Sequence, residues 1–173
     1  MTTVEENTPA NLREERAGKL LSERKLTIAA AESCTGGLLT SRLTDVAGSS
    51  AYVKGSVVSY TNAVKADLLG VAKDTLSSLG AVSEPVARQM AEGVRVLIGT
   101  DLGVGVTGLA GPGGGTAEKP VGLVFIAVAG AAGSCVRRFV FSGKRTEIKR
   151  QAADEALDMV CQYLAGNLVC SPR

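Results

Sequence analysis

Two hydrophobic periods alternate along the chain, and their order limits the fold more than any other feature. Short apolar runs suited to strands occur at 26–31, 56–60, 102–107, 121–129 and 135–141. Between them lie segments whose apolar residues recur every three or four positions, the spacing of one helix face. These are 11–25 (Leu12, Ala17, Leu20, Leu21), 35–46 (Leu38, Leu39, Leu43, Val46), 63–69, 83–98 and 146–164 (Ile148, Ala152, Ala156, Met159, Tyr163). Asn62 is placed to cap the third helix and Gly70 to close it, while Ser83-Glu84-Pro85 opens the fourth. The last two strands, joined across 130–133, form an antiparallel hairpin. The order α-β-α-β-α-α-β-β-β-α predicts an α/β fold, with a mixed sheet and helices on both faces. A length of 173 residues without repeat or linker suits one domain, drawn over 10–166. A disordered polar tail at 1–9 and a short tail at 167–173 flank it.

Composition restricts the chemistry. The chain has no histidine, so a Ser-His-Asp triad, a Cys-His pair and every histidine metal site are excluded in cis. Proton transfer falls to Lys, Tyr, Asp, Glu or a thiol. With 19 Lys+Arg against 17 Asp+Glu, the basic excess expected of a backbone-driven nucleic-acid binder is missing. Aromatics at 3% offer no platform for stacking bases. Cys34, Cys135, Cys161 and Cys170 show no metal spacing and read as reduced thiols. The polar, charged start is unlike a secretory signal, and the apolar stretch at 121–132 falls short of the about 20 residues that span a bilayer. A cytoplasmic protein with no membrane or nucleic-acid partner is expected.

One motif misleads. Gly103-Val-Gly105-Val-Thr-Gly108 fits the dinucleotide pattern G-x-G-x-x-G. That pattern needs a strand turning directly into a helix, with an acid about 20 residues later. Here the first glycines lie inside a strand, Pro112 and Gly113–Gly115 prevent an immediate helix, and no acid follows at that distance. The glycine-rich loop could cradle a phosphate or serve as a mobile turn.

Without histidine, serine with lysine is the remaining route to an acyl-transfer site, since burial can bring a lysine pKa toward neutrality. Three pairings exist: Ser22 with Lys25 at a charged helix end, Ser49 or Ser50 with Lys54, and Ser33 with Lys65. Ser33 lies where the first strand gives way to a helix, with the amides of Gly36 and Gly37 expected to face an oxyanion. Lys65 falls in the first turn of the helix after the second strand, and Tyr60 ends that strand. Cys34 and Thr35 compete with Ser33 as nucleophiles on chemistry alone.

The segments Ala31-Glu-Ser-Cys-Thr-Gly-Gly37, Gly48-Ser-Ser50, Tyr60-Thr-Asn-Ala-Val-Lys65, Gly80-Ala-Val-Ser-Glu-Pro85, Thr107-Gly-Leu-Ala-Gly-Pro-Gly-Gly-Gly115 and Lys119-Pro-Val-Gly122 carry a resemblance. In this order, over about residues 10 to 165, they resemble the CinA C-terminal domain family. The resemblance implies a three-layer α/β/α fold with a mixed sheet, of anticodon-binding-domain type. It implies a nicotinamide-nucleotide amidase that converts nicotinamide mononucleotide to nicotinic acid mononucleotide and ammonia without metal or cofactor. Position by position, Ser33 resembles the nucleophile, Lys65 its base and Tyr60 a supporting phenol. Thr107 matches an active-site hydroxyl, Arg145 a basic position for substrate phosphate, and Ser50 a further polar position. The partner implied is a small nucleotide substrate, with self-association into a homo-oligomer. Alternatives are a non-catalytic nucleotide-binding module, or an amidase for another small carboxamide. Ala63 departs from the family, whose members usually carry an acid there. Many relatives also carry a large N-terminal domain, for which no room is expected ahead of the first helix.

Overall fold

The computed structural model describes residues 12–170. The expected tail at 1–9 and the end of the second tail, 171–173, lie outside the described residues.

Five strands form one mixed sheet in the order β2-β1-β3-β4-β5. The strands are β1 (Ile28–Glu32), β2 (Val53–Val58), β3 (Leu102–Gly108), β4 (Leu123–Gly130) and β5 (Gly133–Val140). β1 runs parallel to both β2 and β3, while β3-β4 and β4-β5 are antiparallel. The helices are α1 (Leu12–Arg24), α2 (Leu38–Asp45), α3 (Asn62–Leu69), α4 (Lys73–Leu79), α5 (Glu84–Ile98) and α6 (Arg145–Leu164). This is the α/β architecture expected from the alternation, with α4 added. α3 also begins one residue earlier than expected: Thr61, not Asn62, caps it, accepting the Val64 amide.

The alternation of side chains along a strand decides the layers. Ile28 and Ala30 of β1, with Leu102, Val104 and Val106 of β3, join α1, α2 and α6 in the larger core. Ala29 and Ala31 point the other way, toward α3, α4 and α5 through Leu69, Leu76, Val86, Met90 and Val94. Burying each large aliphatic side chain contributes about 1.5–3 kcal/mol.

The glycines that mimic a nucleotide motif serve this packing. A Cβ on Gly103 would lie 2.0 Å from the Ala91 carbonyl oxygen, and one on Gly105 2.3 Å from that of Ala87. Their missing side chains let α5 rest directly on β3. All of Gly103 to Gly108 belongs to β3, so no strand-to-helix turn exists there.

The expected set of four reduced thiols is corrected. Cys135 on β5 and Cys170 form a disulfide across 35 residues, while Cys34 and Cys161 are free and buried. Leu168 packs against the larger core, so the residues after α6 return to the body of the domain. Sequence spacing carries no signal for a pairing set by that return path. Among the described residues, no helix is long and apolar enough to cross a membrane.

Candidate active site

Because β1, β2 and β3 are mutually parallel where they pair, their carboxyl ends meet at one sheet edge. Ser33 follows β1, Ser59 and Tyr60 follow β2, and Thr107 stands next to the end of β3. The Ser33 amide still donates to the Val106 carbonyl at 2.9 Å, so the residue is held by the sheet. The alternation of β1 carries on past its end: Glu32 turns toward α2, and Ser33 toward α3.

Lys65 meets it there. It lies on the first turn of α3 and is only 1% exposed. Its Nζ is 3.0 Å from Ser33 Oγ and donates to the Ser59 carbonyl at 2.6 Å. Both partners are neutral, so no carboxylate compensates the ammonium. Burial pushes the Lys65 pKa below its usual value. An amine inclined to lose its proton, in contact with a hydroxyl, is what a Ser/Lys acyl-transfer site requires.

The competing nucleophiles fall away. Burial pushes the Cys34 thiol up to about 12, and Thr35 has no exposed surface. The rival pairs are not built. Lys54 Nζ donates to the Ser50 carbonyl rather than to a hydroxyl, and Ser22 and Lys25 stand exposed at the end of α1.

A cleft of about 250 Å³ opens over the pair. Ser33, Tyr60, Lys65, Thr107 and Arg145 all line it, together with Asn62, the 81–82 turn and the 108–113 segment. Arg145, at the start of α6, donates to the Gly111 carbonyl at 2.6 Å and to the Tyr60 hydroxyl at 3.0 Å. The Tyr60 phenol is therefore held by Arg145 rather than by Lys65. Thr107 donates its hydroxyl to the Ala81 carbonyl at 2.8 Å, tying β3 to the opposite wall. The lining holds two basic side chains and no acidic one. Among the described residues, no group of three or more Cys, Asp or Glu is placed to hold a metal ion.

Three expected site residues are not brought in. Gly36 and Gly37 do not line the cleft, and their amides are engaged elsewhere: Gly36 N–H donates to the Ser33 carbonyl and Gly37 N–H to Glu32 Oε2. The chain turns back on itself at these left-handed glycines (φ 62° and 99°) to start α2, which carries the amides away from the cleft. Ser50 precedes β2, at the opposite end of that strand from Tyr60. Sequence reasoning in turn missed Asn62, whose position three residues before Lys65 puts both on one face of α3.

Residues 11–164 match the family model of the CinA C-terminal domain. The chain belongs to the CinA C-terminal domain family. It is 54% identical over 147 residues to a CinA-like protein of Syntrophus aciditrophicus, covering 84% of this chain and 35% of that one. A CinA-like protein of Chlorobium limicola is 50% identical over 156 residues, covering 87% and 36% respectively. The chain thus spans little more than a third of the length of these curated relatives. Among solved structures, the competence/damage inducible protein CihA of Agrobacterium tumefaciens superposes with a TM-score of 0.83 at 43% identity, covering 88% of this chain and 95% of that one. A CinA superfamily protein of Klebsiella pneumoniae gives 0.87 at 30% identity, covering 91% and 98%. The CinA domain architecture therefore accounts for the described sheet and its helices.

Proposed function

We propose that this CinA domain hydrolyses the carboxamide of nicotinamide mononucleotide to nicotinic acid mononucleotide and ammonia. The observation that carries the reading is the buried Lys65 amine, 3.0 Å from Ser33 Oγ with no acid beside it. Neutral Lys65 takes the Ser33 proton as Oγ attacks the carboxamide carbon. We assign the oxyanion so formed to the backbone amide of Cys34, the residue that follows the nucleophile and lines the cleft beside it. Lys65 then returns the proton to the departing nitrogen, the C–N bond breaks, and ammonia leaves an ester on Ser33. Water, deprotonated by Lys65, attacks that ester; the acyl C–Oγ bond breaks, Lys65 returns the proton to Ser33 Oγ, and the carboxylate product leaves.

The substrate class is supported by the lining. Arg145 bonds only neutral groups, leaving its charge for a phosphate, and no acid in the cleft opposes an anion. The cleft is just under the about 300–1,000 Å³ usual for small-molecule sites, which suits a substrate partly open to solvent.

The test is ammonia release from nicotinamide mononucleotide, nicotinamide riboside and nicotinamide in parallel, with Ser33→Ala as control. Release from the mononucleotide, abolished in the variant, is the expected result. Release from the riboside alone would remove the phosphate role of Arg145. No release from any of the three, with retained nucleotide binding, would make the domain a binding module.

A further inference from the structure

Glu32 is the residue immediately before the nucleophile, and it has no exposed surface. A buried carboxylate is costly unless its lone pairs are used. Here all the acceptors point at one target. Glu32 Oε2 accepts the amides of Gly37 and Leu39, each at 3.0 Å. Oε1 accepts the Thr40 amide at 2.8 Å and the Thr40 hydroxyl at 2.7 Å. The start of α2 has no side-chain cap from its own N-cap residue, Gly37, so the carboxylate from the preceding strand supplies it. A negative charge at a helix N-terminus is also favoured by the helix dipole.

The loop held this way is the one that carries Ser33. With the Gly36 amide on the Ser33 carbonyl and the Gly37 amide on Glu32, both glycine amides are committed to the turn, and Cys34 is the residue of that turn that lines the cleft beside Ser33. The main chain of Glu32 reaches the other half of the pair. Its carbonyl accepts the Ser59 amide at 2.8 Å, and the Ser59 carbonyl accepts Lys65 Nζ at 2.6 Å. One residue thus joins the nucleophile loop by its side chain and the base by its backbone.

We infer that Glu32 is a positioning residue for the amidase. Its buried carboxylate clamps the turn of residues 33–40 so that Ser33 Oγ and the Cys34 amide hold the geometry of attack. The inference rests on the amidase reading for its kinetic test, but not for its chemical one. Glutamine at this position offers one acceptor oxygen and turns an NH2 group against amide donors. Alanine leaves three amides, that of buried Leu39 among them, without the acceptor they have here.

The experiment measures two rates on wild type, Glu32→Gln, Glu32→Ala and Thr40→Val, each checked for folding by circular dichroism. One is steady-state ammonia release from nicotinamide mononucleotide. The other is labelling of Ser33 by a fluorophosphonate, which needs no correct substrate. The expected result is a kcat lower by about 10²-fold in both Glu32 variants, the scale of one lost oxyanion donor, with KM within about threefold. Ser33 labelling should slow in parallel. Thr40→Val, which removes only the hydroxyl bond, should lose less than about tenfold in both. A merely structural clamp would lower the melting temperature and leave kcat and labelling of the folded protein unchanged, which would overturn the inference. If Glu32→Ala does not fold, Glu32→Gln and Thr40→Val decide it alone. If wild type releases no ammonia yet labels at Ser33 in a Glu32-dependent way, the amidase reading fails and the positioning role stands. A wild type that does not label at Ser33 overturns both.

Discussion

Two side chains that bring positive charge into this domain are treated in opposite ways. Arg42 of α2 sits in a seam between α1, α2 and α6, where Glu14 takes its Nε and Nη2 and Asp154 its Nη1. Burial opposes its charge, but the bonds to Glu14 and Asp154 outweigh it and its pKa is raised. Lys65 is more deeply buried and faces only a carbonyl and a hydroxyl, so its pKa falls. A larger cavity, about 460 Å³, lies beside the Arg42 seam, and no Ser or Cys nucleophile lines it. The contrast separates structure from chemistry. A fold that wants a permanent charge surrounds it with carboxylates; a site that needs a removable proton keeps them away.

The comparison can be broken by substitution. Lys65→Arg keeps the positive charge but cannot release its proton. Ammonia release should fall by at least the about 10²–10⁴-fold that general acid–base catalysis contributes, in a protein that still folds. Activity near wild type in that variant would remove Lys65 as base. Arg42→Ala should do the reverse. Leaving the buried Glu14 without its partner, and Asp154 with Arg13 alone, should cost about 3 kcal/mol in urea unfolding, while kcat of the folded protein stays within about twofold. A smaller effect comes from packing. Gly105→Ala must push Ala87 of α5 off β3 and should cost about 1–3 kcal/mol, read from the same urea curves.

The smallest expected effect sharpens the contrast through pH. Lys65 has a lowered pKa in the fold, so between that value and its usual 10.5 the unfolded chain binds more protons. Stability from this group therefore rises with pH across that window and is fully gained above it. Glu14, which burial tends to raise, is held below its usual 4.5 by Arg42, so its contribution is lost as pH falls through the lowered value. Lys65→Met should flatten the alkaline rise and Glu14→Gln the acid loss, each leaving the other limb intact.

Much of this was legible in the sequence because it follows from periodicity and strand ends. The hairpin of β4 and β5 and the long α6 come from runs whose period is unambiguous, whereas spacing left Ser33 with Lys65 as one of three pairings and the family resemblance singled it out. α4 was not legible. Its seven residues bury only Leu76, and Leu79 stays half-exposed, so no face repeats. The Glu32 clamp was hidden for a different reason. An acid next to Ser33 looks like the start of a loop, yet strand alternation puts it on the face of Ile28 and Ala30, toward α2. That parity was the available signal, and it also explains why the Gly37 amide turns away from the cleft. Ser50 lies beyond the reach of local reasoning, because only the length of β2 separates it from Tyr60. The Cys135–Cys170 bond depends on where the chain goes after α6, which no spacing encodes.

The most direct test of the central claim is the pH dependence of kcat/KM for ammonia release from nicotinamide mononucleotide. On the proposed mechanism neutral Lys65 is the active form, so the rate should rise with pH through one ionisation lying below 10.5, with no limb at the about 6.5 of a histidine. A rate independent of pH across that range, or a rising limb that persists unchanged in Lys65→Ala, would contradict the account.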